Sequence, residues 1–330
     1  MASEPAAASS PGGPGGADVL TAGEALVSLR SSGPLAVGGP LTMHLAGAES
    51  NVAIGLARLG HRAAWAGRIS DDELGEFVLR QLRAEGVDTT GIRRDPERPA
   101  GLMFLERRTA DVNRVRYHRA GSAGSALSID DLRGPLATGT RVLHLTGITP
   151  ALSDTARAAV TWAVRAAAAD GIAVSLDVNY RAGLWSREAA RETLAPLAGY
   201  ASVIIASADE LDLVAEPGVD EAAVVAGLLD RGVGTVLVKL GADGARGYTR
   251  DGVEQVPAVP VTAVDTVGAG DAFTAGYLSG YLDGLPLADR LRRAAALGAF
   301  AVAGTGDWEG LPRRDELSLI TGSAAGTTLR

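Results

Sequence analysis

Short continuous apolar runs alternate along this chain with longer stretches in which apolar positions recur every three to four residues. The runs at 19–23, 62–67, 141–146, 172–177, 202–206 and 235–240 have the unbroken hydrophobicity of strands covered on both faces. The periodic stretches at 50–59, 72–85, 153–170, 186–197, 208–215, 221–230, 269–282 and 287–303 predict helices. Ser153 is placed to cap one of these and Gly171 to end it. Such strand–helix alternation predicts an α/β fold: a doubly wound, mostly parallel sheet flanked by helices. Two stretches break the rhythm. Residues 24–46 and 100–120 read as antiparallel ribbons, and in the second AGLMFLE and RVRYHRA flank the turn RRTADVN. Ribbons inserted into such a core are expected to form a small β-sheet lid over the active cleft.

The ends differ in composition. Residues 1–17 are Ala, Ser, Pro and Gly with a single charge and are expected to form a disordered tail. Residues 321–330 are expected to be a second loose end, leaving 18–320 as the folded domain. The start lacks the basic and apolar stretches of a signal peptide, so the reading places the chain in the cytoplasm. No apolar run approaches the ~20 residues that a membrane helix needs.

Charge and residue usage narrow the chemistry. The 31 basic and 39 acidic residues leave a net charge of −8, which argues against nucleic acid or a membrane surface as a partner. There is no cysteine, so disulfides, thiolate metal sites and cysteine nucleophiles are excluded. Lys239 is the only lysine and is followed by Leu240, so the Gly-Lys-Ser/Thr of a P-loop is absent. There is no His-Arg-Asp of a protein kinase, and no Gly-x-Gly-x-x-Gly follows the first strand as in a dehydrogenase. His44, His61, His118 and His144 are scattered without metal-ligand spacing. His144 lies in an apolar strand and is expected to be a buried, hydrogen-bonded structural residue.

The sharpest signal is DTVGAGDAFTAGYL, Asp265 to Leu278. Gly268, Ala269 and Gly270 run straight into an apolar-periodic helix. Their N–H groups and the helix dipole make an anion site, and the glycines let a phosphate approach closely. Asp271 falls in the first helical turn, where the helix start is expected to keep it ionised. The rest of the site is expected at the carboxyl ends of the strands, which deliver Asp177, Asn179 and Arg181, then Ser207 and Glu210, then Lys239, Gly241 and Gly244.

The same string resembles the C-terminal signature of the ribokinase/PfkB family of carbohydrate kinases. AGAESNVAIGLARLG, Ala46 to Gly60, resembles that family's N-terminal signature, with Ala46 where many members have glycine. The likeness spans about residues 18–320. Four further strings resemble the 2-keto-3-deoxygluconate kinase branch: YHRAGSAGSAL (Tyr117–Leu127), HLTGITPAL (His144–Leu152), SLDVNYRAGLW (Ser175–Trp185) and GDWEG (Gly306–Gly310).

The resemblance implies a ribokinase-like fold, ATP as co-substrate, Mg²⁺ bridging its phosphates mostly through water, and an open question over a monovalent cation such as K⁺. It implies phosphoryl transfer, which needs positioning and charge neutralisation more than covalent chemistry: Asp271 would take the proton of the attacking hydroxyl, and the amides of Gly268, Ala269 and Gly270 would stabilise the transferring oxygens. It implies contact with a sugar acid by Gly47, Ala48, Asn51, Met103, Tyr117, Arg119, Thr146, Arg181, Asp271 and Asp307. Arginine suits the acid's carboxylate because its fork binds bidentately. The nucleotide falls to Asn179, Arg181, Ser207, Lys239, Gly241, Gly244 and Gly268–Gly270, with Glu210 near the metal through water. Ser207 stands where the family has asparagine, and Met103 where relatives often carry tyrosine. A homo-oligomer is expected, because lid ribbons in this family pair between subunits. The expected activity is phosphorylation of 2-keto-3-deoxygluconate at its 6-hydroxyl. A fructokinase or ribokinase, or a non-catalytic nucleotide- or sugar-binding module, are the alternatives.

Overall fold

The computed structural model describes residues 16–109 and 112–322. The expected tail lies outside these up to residue 15, and the expected loose end lies outside from 323. In chain order the strands are β1 (Ala17–Ala22), β2 (Leu26–Ser31), β3 (Leu41–Ala46), β4 (Ala63–Ser70), β5 (Ile92–Asp95), β6 (Gly101–Arg107), β7 (Asn113–His118), β8 (Thr140–Thr146), β9 (Ala173–Asp177), β10 (Val203–Ser207), β11 (Thr235–Lys239), β12 (Ala245–Thr249) and β13 (Gly252–Val256). The helices are α1 (Ala48–Arg58), α2 (Glu73–Ala84), α3 (Ile129–Ala137), α4 (Asp154–Ala169), α5 (Arg187–Ala198), α6 (Glu221–Asp230), α7 (Ala269–Leu282), α8 (Leu287–Ala303) and the short α9 (Leu319–Gly322). Thus β1 takes in the last residue assigned to the tail, and α9 the first two of the loose end.

The main sheet runs β13-β12-β11-β10-β9-β8-β1-β4-β5, parallel from β11 to β5 and ending in the antiparallel hairpin β12–β13. Strand alternation divides its apolar residues between two layers. Val203 and Ile205 of β10 join α1, α2, α7 and α8 in one cluster, while Ile204 and Ala206 join α3 to α6 in the other. Both faces are covered, which explains the continuous apolar runs. His144 is fully buried in β8, its Nδ1 3.1 Å from Ser175 Oγ, as expected of a structural histidine. Burial, helped by Lys239, pushes its pKa down to about 3. Among the described residues no helix is long and apolar enough to cross a membrane.

Four features depart from the sequence reading, the first being the short edge strand β5, whose two exposed arginines give no apolar run. The helix expected at 208–215 is only a 3-10 turn, Leu211–Val214, because Leu211, Leu213 and Val214 are all buried and leave no polar helical face. Helix α3 was not anticipated: Gly134 and Pro135 obscure its pattern, while the Ser128–Asp131 capping box starts it. The β12–β13 hairpin is too polar and exposed to show a buried-strand run.

The two ribbons form a second sheet, ordered β3-β2-β6-β7. Its centre, β2 beside β6, is parallel and both outer pairs are antiparallel. The described part of the expected turn at 107–113 links β6 to β7; residues 110–111 lie outside the description.

Candidate active site

Helix α7 sets the chemistry. Gly268 caps it with φ +77°, and a Cβ there would lie 2.0 Å from the carbonyl oxygen of Asp307, so only glycine fits the turn. The first-turn N–H groups of such a helix lack intrahelical partners and, with the dipole, favour an anion. Asp271 sits in this turn with 9% of its surface exposed. Its Oδ2 accepts from Asn51 Nδ2 at 2.8 Å and its Oδ1 from Asn179 Nδ2 at 3.4 Å. Burial pushes the Asp271 pKa up, against the Asn51 hydrogen bond and the charges of Arg181 and Lys239. Desolvation thus opposes the ionised form that the helix start and the amide favour, and a carboxylate with a raised pKa suits a proton acceptor. Asn179 holds φ +38°, a strained value for a non-glycine residue, while its side chain reaches Asp271. A residue expected at the nucleotide thus also touches the candidate base.

Asp271 faces a pocket walled by the smaller sheet, the α1 and α7 starts and neighbouring loops. Gly47, Ala48 and Asn51 of the α1 start, Met103 and Tyr117 of the lid, Arg119, Arg181, Gly268 and Asp307 all line it. Asn51 Oδ1 is buried without a hydrogen-bond partner among the described residues, leaving an acceptor for a ligand hydroxyl. Tyr117, Arg119 and Arg181 also line the adjoining outer groove, which places them at the mouth. Thr146 does not line the pocket. It stands behind the wall, donating at 2.7 Å to Glu49 Oε1, which also accepts from Thr149 at 2.7 Å. Glu49 is buried at the pocket wall, and burial pushes its pKa up to about 7.

Arg119 is not a free clamp. Its guanidinium pairs with the buried carboxylate of Glu24 at 2.5 Å and covers the Tyr117 ring at 4.9 Å. Burial raises the Glu24 pKa, although the arginine opposes the shift. Arg181 is exposed, and its Nη1 donates only a long 3.4 Å bond to the Tyr180 carbonyl. It is the guanidinium better placed to accept a new carboxylate.

Of the other residues expected at the nucleotide, Lys239 lies beside the α7 start. Lys239 Nζ lies 2.9 and 3.0 Å from the Asp177 oxygens and 3.5 Å from the point a Cβ on Gly270 would occupy. Burial alone would lower its pKa, but Asp177, Glu210 and Asp271 reverse the sign and raise it. Gly241 and Gly244 bound the 3-10 turn after β11. Ser207 Oγ is turned onto Asp209 at 2.6 Å. Glu210 caps two backbone N–H groups, Ser207 at 2.9 Å and Tyr180 at 2.7 Å, so each oxygen keeps a lone pair for a water. No cluster of three or more His, Cys, Asp or Glu fit to hold a metal occurs among the described residues.

Sequence reasoning missed Glu24 and Glu49. Glu49 had a visible signal, a carboxylate inside the AGAESN string at a helix start. Glu24 becomes visible only once the smaller sheet brings Arg119 against it.

These features have counterparts in known proteins. Residues 23–314 match the model of the pfkB family carbohydrate kinases. The chain is 36% identical over 91% of its length to a 2-dehydro-3-deoxygluconokinase of Bacillus subtilis, covering 94% of that protein. It is 34% identical over 89% of its length to one of Thermoproteus tenax, covering 91% of it. It superposes on a putative ribokinase II from E. coli, in complex with ATP and Mg²⁺, with a TM-score of 0.86 at 27% identity, covering 92% of this chain and 99% of that one. With residues 23–314 matched by the family model and 34–36% identity to these two relatives over about nine-tenths of its length, the chain belongs to the pfkB family of carbohydrate kinases.

Proposed function

We propose that this protein transfers the γ-phosphoryl group of ATP to the 6-hydroxyl of 2-keto-3-deoxygluconate, giving 2-keto-3-deoxy-6-phosphogluconate. One observation carries the reading: a single pocket holds Asp271 beside the α7 start and, at its mouth, the exposed Arg181. A hydroxyl to be phosphorylated needs the first, and a carboxylate at the far end of the same molecule needs the second. The 2-dehydro-3-deoxygluconokinases among the relatives support the same substrate.

Asp271 orients the attacking hydroxyl and takes its proton as the new P–O bond forms and the bond to ADP breaks. The N–H groups of Gly268, Ala269 and Gly270 stabilise the charge on the transferring oxygens. Asn51 holds Asp271 and offers Oδ1 to the sugar. Gly47, Ala48, Met103 and Tyr117 shape the cavity, with Thr146 behind it, Asp307 at the reacting end and Arg119 at the mouth. Lys239, Gly241, Gly244, Asn179 and Ser207 serve the nucleotide side, and Arg181 borders both substrates. Bound Mg²⁺ would neutralise phosphate charge, held largely by the phosphates themselves with Glu210 reached through water. Strand β7, exposed at every residue on the lid edge, supports pairing of lids in a homo-oligomer.

The test is ADP release measured across 2-keto-3-deoxygluconate, its galacto epimer, the alcohol made by reducing its carboxyl, fructose and ribose, with and without K⁺. The reading predicts turnover of the keto acid and a fall in kcat/KM of at least about 100-fold on reducing the carboxylate. Better turnover of fructose or ribose overturns it.

A further inference from the structure

The lid carries a buried charge that none of these roles uses. On β2, Leu26, Ser28 and Arg30 share one side by strand alternation, and Leu26 lines the pocket. Arg30 is therefore turned toward the cleft, with only 8% of its surface exposed. Its Nη1 donates to Asp265 Oδ2 at 3.2 Å, and its Nη2 forms a short ion pair with Asp307 Oδ1.

Both acids border the phosphate-binding turn. Asp265 opens the Asp265–Asp271 string, and its Oδ1 accepts the Val267 N–H at 3.1 Å, shaping the chain immediately before Gly268. Asp307 packs against the turn from the opposite side, its carbonyl oxygen filling the space a Cβ on Gly268 would need. One guanidinium on the lid thus grips the turn from its sequence side and its packing side. The acids need that cation. Burial pushes the Asp307 pKa up to about 7, and Asp271, Glu309 and Asp265 push the same way against Arg30. An ion pair this deeply buried is a poor source of stability, since desolvation offsets much of its attraction, but it fixes geometry.

We propose that Arg30 is a positioning residue for phosphoryl transfer: held on lid strand β2, it sets the Gly268–Asp271 turn through Asp265 and Asp307, so that lid position and the geometry of the phosphate-binding turn are coupled. This rests on the kinase reading above, and Arg30 itself touches neither substrate.

The test compares Arg30→Met and Arg30→Lys with wild type by steady-state kinetics, thermal melting and hydrogen exchange of the ligand-free protein. Arg30→Met is expected to lower kcat about 10- to 100-fold, the scale of a misplacement of about 1 Å, with both KM values within about threefold of wild type. Arg30→Lys keeps the charge without the fork and is expected to fall between the two. In the ligand-free Arg30→Met protein, exchange at 264–270 and 304–310 rises while β1 and β8 stay protected. A kcat within about threefold of wild type, or a loss that only tracks the unfolded fraction, overturns the proposal. If Arg30→Met does not fold, Arg30→Lys decides: a lowered kcat at unchanged KM supports the role, and an unchanged kcat overturns it. If the wild type turns over no keto acid, the substrate reading fails separately, and exchange decides on Arg30. Unaltered exchange at both loops overturns its role.

Discussion

Asn51 donates its side-chain amide to Asp271 at 2.8 Å across a sequence separation of 220 residues. This one hydrogen bond joins the AGAESN segment at the α1 start to the glycine turn at the α7 start. It also favours the ionised carboxylate that burial disfavours.

Removing that donor has a signed consequence. Asn51→Leu leaves burial unopposed by the amide, so the Asp271 pKa rises further and the acid limb of the kcat/KM profile moves to higher pH. kcat/KM reports the free enzyme, the state described above. An acid limb that stays in place or moves to lower pH contradicts the coupling.

Arg119 and Arg181 separate into different kinds of residue. Arg181 is exposed, so Arg181→Ala is expected to melt like wild type and to raise KM for the sugar acid at least about tenfold, with KM for ATP within about threefold. Arg119→Ala strands the buried carboxylate of Glu24 and is expected to cost about 3 kcal/mol of stability as well. Equal melting temperatures for the two variants contradict the buried pair.

Glu49 gives stability a pH dependence. Its folded pKa of about 7 lies above the ordinary 4.5, so the native state binds more protons than the unfolded chain between those values. Its contribution is complete below pH 4.5 and is lost as pH rises through about 7. Glu49→Gln, which stays neutral, should therefore match wild type near the acid end and exceed it by about 3 kcal/mol above pH 8. Unfolding in urea at several pH values measures the difference, and a gap that does not widen with pH contradicts the burial argument.

The lid should close on sugar. Hydrogen exchange at 24–46 and 100–120 is expected to slow when 2-keto-3-deoxygluconate is added, because Leu26, Met103 and Tyr117 from that sheet line the pocket. Exchange there that ignores the sugar removes the lid from the mechanism.

Much of this was legible in the chain because its signals are local. Helices α7 and α8 occupy the residues their periodicity marks, and β8, β9, β10 and β11 fall on their apolar runs to within a residue or so. The site residues near the glycine turn and on the AGAESN segment follow from short strings with a physical purpose. What stayed hidden depends on folding at a distance. The Glu24–Arg119 pair exists only where a lid loop meets the end of β1, and Arg30 is one of thirty arginines until β2 turns it toward Asp265 and Asp307. The burial that raises the Asp271 pKa was also hidden, because the helix start is written in the sequence and the burial is not. The helix expected at 208–215 failed for a related reason: its apolar residues are buried on all sides rather than along one stripe.

The account depends most on Asp271 as the group that receives the hydroxyl proton. Turnover of Asp271→Asn with saturating ATP and sugar acid is the direct measurement. Asparagine keeps the size and the contact region but cannot take a proton, so kcat should fall at least about 100-fold while the protein melts normally and still binds ATP. Turnover within about threefold of wild type would contradict the account.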